Sequence, residues 1–375
     1  MRIQAVFNTD QIGGAERSMV ATLRSKASAY KIEAWIPNIS GSTDLKIYLE
    51  ETIPGVIVHS FKIGASYYQV SRGNYFSILK VLVSFAICLF HIRNIKFKDQ
   101  DIVWLNGNKV GALFSYYLAK NKYQGRVFWH LRDYFPTNKF LTILVQKLNG
   151  LRLSFIANSY SVKEDFDYYW PNFKCHVLYN SAATITQTNT KKVSGKIGVV
   201  AMLTPWKGIH DVLIMAARNE DALISSGANS IVIYGGEIYH THGAHDGYKQ
   251  QLEKLAKKFK KLKVEFAGLV RPQQIFTSID LLIHSSLRPE PFGRVIIEAM
   301  ESHIPVVSTG LGGAAELATL DRAWTYLPHH DAMFVRAIDE AMRGSDRQSK
   351  LDNASAFVGS LKELVKKQMS EILDA

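Results

Sequence analysis

Two glutamates, Glu290 and Glu298, lie eight positions apart in a segment that also holds prolines, a glycine and an apolar run. Glu290 is flanked by two prolines, which exclude a helix interior because proline lacks an amide donor and pushes the residue before it to extended geometry. From Gly293 onward the apolar residues predict a buried helix, with Glu298 about five residues into it. The start of a helix carries amide donors and partial positive charge, so it attracts anions. The spacing therefore predicts two carboxylates that flank an anion site.

Carboxylates on both sides of an anion site suit a nucleotide-sugar, with one acid for sugar hydroxyls, one for ribose hydroxyls and the diphosphate between them. A structural alternative exists, because Arg294 lies four positions before Glu298 and could form a helical ion pair with it. That order, with the cation first, is the less favourable one. A carboxylate among Val, Ile and Met is also seldom buried without a partner. The functional interpretation is therefore preferred.

The Glu-x7-Glu pattern resembles the motif of retaining glycosyltransferases with the two-domain GT-B architecture, specifically glycosyltransferase family 4. Three further segments stand where that family has them: Gly-Gly-Ala-Glu-Arg at 13–17, Pro-Trp-Lys-Gly at 205–208 and Gly-Gly-Ala-Ala-Glu at 312–316. The likeness covers nearly the whole chain but is specific only in the second half. It implies a metal-independent enzyme that moves a sugar from a nucleoside-diphosphate sugar to a hydroxyl acceptor with retention.

The resemblance also implies roles for individual residues. The expected catalytic residues are His130, Lys207 and Glu290. The expected donor-binding residues are Gly13, Gly14, Lys207, Arg288, Glu290, Phe292, Gly293, Arg294 and Glu298. Glu290 would hold sugar hydroxyls and Glu298 the ribose, while Lys207 and helix-start amides would hold the diphosphate. No residue has the pattern of a nucleophile, so no covalent intermediate is expected.

Two positions depart from the family pattern. The family usually carries an arginine five positions before Lys207, and this chain has Met202 there. A cation facing the leaving group is a main source of electrostatic stabilisation, so Arg17, Arg288 or Arg294 would have to supply the charge. The family's Asn-Gly-x-Asp turn is replaced by Asn-Ser-Ala-Ala at 180–183, which leaves the role of that corner unassigned.

Two of the expected site features have structural alternatives of equal weight. Gly13 and Gly14 follow the first strand, where missing side chains let backbone approach a ligand, but glycines serve tight turns equally well. His130 ends a predicted strand, where it would contact the donor sugar or the reacting centre. Because an imidazole can donate and accept locally, a structural histidine with satisfied hydrogen bonds is the alternative.

Short β-branched runs alternate with helical patterns along the whole chain, which predicts α/β architecture with doubly wound parallel sheets. A polar segment over 182–196 separates two such series. We expect a Rossmann-like acceptor-side domain over 1–182, a Rossmann-like donor domain over 183–346, and a C-terminal helix over 347–375 that, by resemblance, crosses back to the first domain. Ligands of such sheets bind beyond the carboxyl ends of the strands, so a cleft between the domains is the expected site.

Two candidate metal sites are not favoured. Asp165 and Asp167 resemble an Asp-x-Asp metal motif, but they lie in a helical pattern where side chains two apart do not face each other. His240, His242 and His245 lie in a glycine-rich loop, and histidine tracts bind zinc or nickel. A loop near the nucleotide is the preferred interpretation, and no metal or other cofactor is expected.

Composition constrains the setting of the protein. Lys and Arg outnumber Asp and Glu by 45 to 33, and the two cysteines fit a reducing compartment. No signal peptide is evident, and the apolar stretch over 76–92 is short for a span, so it is predicted to be a buried helix. We expect a cytoplasmic protein, with contact to an anionic inner membrane face as an option that would give access to a saccharide or lipid-linked acceptor.

A lysine-rich stretch over 254–263 is either a solvated helix face, the favoured interpretation, or a surface for an anionic membrane, acceptor or nucleic acid. Nucleic acid is disfavoured because no zinc-finger or aromatic RNA-binding signature accompanies the lysines. Two rival functions also remain open at this point. One is a nucleotide-sugar epimerase of the same architecture, and the other is a non-catalytic binding or scaffold protein, which Met202 supports.

Overall fold

The computed structural model describes residues 1–63, 75–137, 139–148, 150–180, 194–236 and 247–374, with backbone alone at 75–81 and 139–140. The chain divides into two compact units. The first unit contains Met1–Ser181 together with Gln368–Ala375, and the second contains Ala182–Lys367.

Over its described residues, the first unit forms a seven-stranded parallel sheet in the order β3-β2-β1-β4-β5-β6-β7. Its strands are β1 (Arg2–Phe7), β2 (Lys31–Asn38), β3 (Ile57–Lys62), β4 (Ile102–Asn106), β5 (Arg126–Leu131), β6 (Arg152–Ala157) and β7 (Cys175–Val177). Its helices are α1 (Gly14–Arg24), α2 (Asp44–Thr52), α3 (Tyr75–Ile92), α4 (Asn108–Lys120), α5 (Lys139–Gln146) and α6 (Tyr160–Tyr169). The central strands are apolar on both faces, and β4 is buried throughout, as expected when helices cover both sides of a parallel sheet.

The second unit forms, over its described residues, a six-stranded parallel sheet in the order β10-β9-β8-β11-β12-β13. Its strands are β8 (Lys196–Val200), β9 (Ser230–Tyr234), β10 (Lys263–Gly268), β11 (Leu281–His284), β12 (Val306–Ser308) and β13 (Trp324–Thr325). Its helices are α7 (Ile209–Arg218), α8 (Glu220–Ser225), α9 (Tyr248–Ala256), α10 (Pro272–Phe276), α11 (Arg294–Glu301), α12 (Gly313–Leu317) and α13 (Asp331–Arg343).

The strand order of each sheet is that of the doubly wound Rossmann fold, with the first unit adding one edge strand. In such sheets the strand order reverses beside the first strand, which is β1 in one unit and β8 in the other. The predicted α/β class with Rossmann-like domains is therefore confirmed.

The last helix, α14 (Arg347–Asp374), belongs to both compact units because its final residues join the first. The side-chain oxygen of Gln368 accepts a hydrogen bond from the amide of Tyr179 at 3.1 Å. The guanidinium of Arg126 donates to the carbonyl of Leu373 at 2.6 Å. These two bonds attach the end of the chain to the sheet of the first unit.

The prediction that residues 76–92 form a buried helix is correct for the helix and wrong for its burial. Phe85, Cys88 and Ile92 lie in the core, but the opposite side of α3 is exposed, with Phe90 58% accessible. An apolar sequence cannot distinguish the two faces of a helix that is hydrophobic all round. In the described part of the chain, no helix is long and apolar enough to cross a membrane.

Candidate functional site

An ion pair between Lys207 and Glu290 lies at the carboxyl end of the second sheet. Lys207 follows β8 and Glu290 follows β11, and these two strands are neighbours in the sheet. Parallel neighbours end on the same edge, so the two loops meet although 83 positions separate them. Lys207 Nζ lies 2.5 Å from Glu290 Oε2, and the side chains are only 14% and 12% exposed. Lys207 ends a short 3-10 turn (Pro205–Lys207) that precedes α7.

The carboxylate of Glu290 receives further contacts at the same oxygen. Ser286 Oγ donates to Oε2 at 2.8 Å, and His284 Nε2 lies 3.6 Å from the same oxygen. Burial alone would raise the pKa of Glu290, but His284 and Lys207 outweigh burial and hold this pKa well below its ordinary value. Glu290 is therefore an anion at neutral pH. Its other oxygen, Oε1, has no protein hydrogen-bond partner among the described residues and can accept one from a ligand hydroxyl.

Backbone contacts fix the Lys207 turn against the loop that carries Glu290. Ser285 Oγ donates to the carbonyl of Lys207 at 2.7 Å, and the amide of Leu287 donates to the carbonyl of Trp206 at 2.8 Å. Gly208 has φ of +69°, and a Cβ there would lie 2.0 Å from the carbonyl oxygen of Ser285. Only glycine fits both constraints, which explains the Lys-Gly pair of this turn. The Lys207 ammonium also lies 4.0 Å from the centre of the Trp206 ring.

The Gly-Gly loop after β12 lies beside Glu290. The amide of Glu290 donates to the carbonyl of Leu311 at 3.0 Å, and the amide of Gly313 donates to the carbonyl of Glu290 at 2.7 Å. Glu290 and Gly312 thus form an isolated parallel bridge. The structure therefore brings together the lysine turn, the first glutamate and the second Gly-Gly motif, three features that the sequence singled out separately.

Glu298 lies in α11 and forms the ion pair that the sequence offered as a structural alternative. Arg294 Nη2 donates to Glu298 Oε1 at 2.9 Å, and both side chains are largely buried. Gly293, with φ of +93°, caps the helix, so the positive end of the helix dipole lies at the segment between the two glutamates. The side chain of Phe292 is buried, whereas that of Arg288 is exposed. Ribose binding by Glu298 stays a prediction.

By resemblance a cation is expected at position 202, and this chain has a methionine there. Met202 is half-buried, and its carbonyl accepts a hydrogen bond from Thr204 at 2.8 Å. Of the candidate cations, Lys207 contacts Glu290, and Arg294 is paired with Glu298. Arg17 belongs to the first unit, where it is exposed and lies 5.5 Å from the ring centre of Tyr48.

In the first unit, His130 is 1% exposed and pairs across the sheet with Asn106 at the end of β4. Trp104 Nε1 donates to His130 Nδ1 at 3.3 Å, so the neutral ring carries its proton on Nε2. Burial, followed by the nearby Arg132 charge, holds the pKa of His130 well below its ordinary value. Among the described residues, His130 Nε2 and Asn106 Nδ2 are buried donors without a hydrogen-bond partner. Ligand binding by His130 stays a prediction, with a structural histidine as the alternative.

A polar network that the sequence analysis missed surrounds these donors. Arg132 donates to Asn106 Oδ1 at 2.6 Å and to Asn180 Oδ1 at 2.7 Å, and Ser18 Oγ donates to Asn180 Oδ1 at 2.7 Å. Asn180 is the first residue of the altered segment noted above, and these bonds join its side chain to the carboxyl edge of the first sheet. The sequence feature that could have predicted this network is a polar residue near the end of each of two successive buried strands.

The glycines at 13–14 serve a helix start in this structure. Gly13 caps α1, and its amide donates to Glu16 Oε2 at 3.1 Å, which is the half of a capping box that does not need an N-cap side chain. Its φ is −109°, a value open to other residues, and a Cβ would lie 2.8 Å from the Glu16 carboxylate. Gly14 is exposed. Donor contact by this turn stays a prediction.

The candidate metal residues are distributed as follows. Asp167 forms an ion pair with Lys163 one helical turn away in α6, and burial raises the pKa of Asp165. His240, His242 and His245 lie outside the described residues. Within the described ranges, no group of three or more His, Cys, Asp or Glu side chains is arranged to hold a metal ion.

The two Rossmann-like units define the class of the fold, which is GT-B. Residues 182–356 match the family model described as glycosyl transferases group 1. This match covers the second unit, where the Lys207–Glu290 pair lies, and it supports glycosyl transfer as the activity. No curated protein matches the sequence.

Solved structures with this architecture align over the whole chain. HepE of Anabaena, in complex with UDP and glucose, is 19% identical with a TM-score of 0.75, covering 100% of both chains. A glycosyltransferase from Rickettsia africae is 15% identical with a TM-score of 0.73, covering 100% of this chain and 97% of the other. The UDP-forming α,α-trehalose-phosphate synthase from Burkholderia xenovorans is 14% identical with a TM-score of 0.74, covering 100% of both chains. At these identities the likeness establishes the fold.

Proposed function

We propose that the protein is a metal-independent glycosyltransferase that moves a sugar from a nucleoside-diphosphate sugar to a hydroxyl acceptor with retention. The observation that carries this proposal is the buried Lys207–Glu290 pair, held beside the Gly312–Gly313 loop in the part of the chain that matches a glycosyltransferase family model. The named ligands of the similar structures, UDP with glucose among them, support a nucleotide-sugar donor.

In this proposal the second unit stabilises the charge of the leaving nucleotide. Lys207 would exchange part of its contact with Glu290 for the donor diphosphate, because an ammonium is a mobile point charge. The positive end of α11 would contribute in the same direction, worth typically ~0.3–1 kcal/mol for a helix terminus. A cation and a helix dipole aimed at developing negative charge are the kind of groups that lower the barrier of such a step.

The two glutamates would fix the ends of the donor. Glu290 is ionised, and one of its oxygens has no partner among the residues that the structure describes, so it would accept hydrogen bonds from hydroxyls of the donor sugar. Glu298 would accept from the ribose while it keeps its contact with Arg294. Hydrogen bonds to charged groups contribute about 1.5–3 kcal/mol each, enough to orient the donor.

We further propose that the first unit contributes neutral donors to the acceptor or the reacting sugar. His130 Nε2 and Asn106 Nδ2 lie on neighbouring strands at the carboxyl edge and are buried without protein partners among the described residues. A buried donor left unpaired costs about 1–3 kcal/mol, which a bound hydroxyl oxygen would recover. The acceptor class is a saccharide or a lipid-linked saccharide, and the setting is the cytoplasmic side of a membrane.

The test is release of nucleoside diphosphate from a panel of UDP-, GDP- and ADP-sugars, with saccharide and lipid-linked acceptors, in excess EDTA. We expect turnover with at least one donor, and about a 10²-fold loss in Glu290→Gln, by analogy with removal of one transition-state contact. Glu253→Gln is the matched control, because Glu253 lies in the same unit and is 46% exposed.

Three other results would contradict the proposal, each in a different way. Conversion of the donor to its epimer without an acceptor would identify an epimerase. Nucleotide binding without turnover in any combination would identify a binding protein. Activity that disappears in EDTA and returns with manganese or magnesium would overturn the metal-independent mechanism.

A further inference from the structure

The outward side of α3 is apolar, although it faces away from the core. Its exposed residues recur with helical spacing, two per turn over three successive turns, and we call the apolar ones the α3 face: Leu82, Val83, Ala86, Ile87 and Phe90. Leu82, Val83, Ile87 and Phe90 are 46%, 52%, 45% and 58% exposed. Helices on the surface of a globular protein normally turn polar residues outward, so a contiguous apolar stripe of this kind indicates a binding surface.

The inner side of the same helix packs into the core of the first unit. Phe85, Cys88 and Ile92 are buried in the core of the first unit, and the Phe85 ring lies 5.6 Å from that of Tyr116 on α4. A helix held by one side cannot be surrounded by lipid. The α3 face is therefore available to a surface, and the helix would lie along that surface rather than cross it.

The segment of the chain that contains α3 carries charge of one sign. The sequence over 52–98 contains no Asp or Glu, and its cationic residues are Lys62, Arg72, Lys80, Arg93, Lys96 and Lys98. The elements packed against α3, which are β3 and α4, also lack carboxylates. Lys62, Arg93, Lys96 and Lys98 are all exposed. An apolar stripe with Arg93 at one end, in a segment without carboxylates, complements an anionic, apolar partner.

The cations that follow α3 lie at the end of the helix, a position that suits a helix lying along a lipid surface. Arg93 follows the last turn of α3, and its guanidinium lies 3.6 Å from the centre of the Phe90 ring. Arginine and lysine side chains can cover apolar surface with their stems while the charge stays at the polar boundary. With His91 and Lys96 exposed beside it, this end of the helix would lie among headgroups while the aliphatic side chains insert.

We propose that the α3 face docks the protein on an anionic lipid surface. A second copy of the chain is a poorer partner, because a symmetric contact through this face would bring the same cations together. A helical peptide would need a groove, whereas the exposed side of a single helix is convex. The docking itself does not depend on the donor chemistry, and only its link to a lipid-linked acceptor rests on the proposed function.

The lysine-rich stretch of the second unit is a natural control. The amides of Lys260 and Lys261 donate to the Glu220 carboxylate at 2.9 and 2.7 Å, and the Lys261 ammonium pairs with Asp221. Leu262 of this stretch and Leu252 just before it are buried. It thus has positive charge that is partly neutralised and no exposed apolar stripe, so it should contribute little to docking.

The experiment is cosedimentation of the full chain with vesicles of phosphatidylcholine containing phosphatidylglycerol, at several salt concentrations. The charge variant carries Arg93→Gln, Lys96→Gln and Lys98→Gln, and the control carries Lys254→Gln, Lys257→Gln and Lys258→Gln, an equal change in net charge. Since each basic residue near an anionic leaflet contributes ~1 kcal/mol, three should give about a 10²-fold loss, and the control should stay within about threefold. The apolar variant, Ile87→Ser with Phe90→Ser, should also lose binding and should do so at every salt concentration.

Several outcomes would overturn the proposal. The first is an absence of binding to anionic vesicles at low salt. The second is an equal loss of binding in the charge variant and in its control. The third is undiminished binding by the apolar variant. Concentration-dependent dimers in sedimentation that the apolar variant abolishes would assign the face to a second copy. All substituted sites are exposed, and unchanged melting temperatures will show that the variants fold. Nucleoside-diphosphate affinity should not change in any of these variants, so failure of docking and failure of the proposed function are separable.

Discussion

At the carboxyl edge of the second sheet, Lys207 and Glu290 form a largely buried ion pair, whereas at the carboxyl edge of the first sheet His130 and Asn106 present neutral donors beside the Arg132 guanidinium. The two units share a strand order, so their folds do not cause this difference. The difference comes from the side chains that follow corresponding strands of the two sheets. Under the proposed function, the edge with Lys207 would stabilise the charge of the leaving nucleotide, and the buried donors of His130 and Asn106 would bind hydroxyl oxygens.

The largest expected effect is on the charged edge. Lys207→Ala should reduce turnover by about 10²-fold or more, because it removes a cation aimed at the leaving group. The measurement is the initial rate of nucleoside-diphosphate release at saturating donor. Lys249→Ala in the same unit, where the side chain is 50% exposed, should behave as wild type.

Loss of Lys207 also leaves Glu290 buried without its partner, which destabilises proteins in its own right. A double variant, Lys207→Met with Glu290→Gln, removes both charges together and should recover a melting temperature near that of wild type. If that folded double variant, or a folded Lys207→Ala, turned over at the wild-type rate, the charged edge would have no part in catalysis. Arg288 and Arg294 would then be the next cations to replace.

A smaller effect is expected on the neutral edge, in the pH dependence of stability. The pKa of His130 is held well below its ordinary value by burial and by Arg132, so the folded state keeps the ring neutral. Below about pH 6.5 the unfolded chain takes up a proton that the folded chain does not, so the free energy of unfolding falls as pH falls. His130→Gln should lose less stability than wild type between pH 7 and 5, by about 1–2 kcal/mol.

Urea denaturation at a series of pH values provides this measurement, with His91→Gln on the exposed side of α3 as the matched control. The control should follow wild type. Parallel pH profiles for wild type and His130→Gln would mean that His130 charges freely in the folded protein. The neutral edge would then differ less from the charged one than the structure indicates.

The contrast between the two edges also explains which site residues could be predicted from the sequence. Lys207, Glu290 and the Gly312–Gly313 loop each lie in a local motif, because turns and helix starts need particular residues at short spacing. The network of Arg132, Asn106 and Asn180 has no such motif. Its members come from separate strand ends, and only the pairing of β4 with β5 brings Asn106 beside His130.

Two further features of the structure could not be predicted from the sequence, for physical reasons. Helical spacing permits both an Arg294–Glu298 ion pair and a ligand-binding Glu298, and only the observed contact shows that the pair forms. For α3, a sequence that is apolar all round predicts burial, yet it does not specify which side packs on the sheet. The alternation of strands and helices, in contrast, was sufficient to predict two Rossmann-like units.

Calorimetric titration of nucleoside diphosphates tests the central claim most directly, because binding comes before any question of acceptor. We expect at least one of UDP, GDP and ADP to bind without added metal. Glu298→Ala should weaken that binding by ~1.5–3 kcal/mol, the usual range for hydrogen bonds to charged groups, while Glu253→Ala leaves it unchanged. Arg294→Gln breaks the same ion pair but keeps the carboxylate, so it should retain more affinity than Glu298→Ala. Failure of the wild type to bind any of the three, or equal affinity in wild type and a folded Glu298→Ala, would contradict the account.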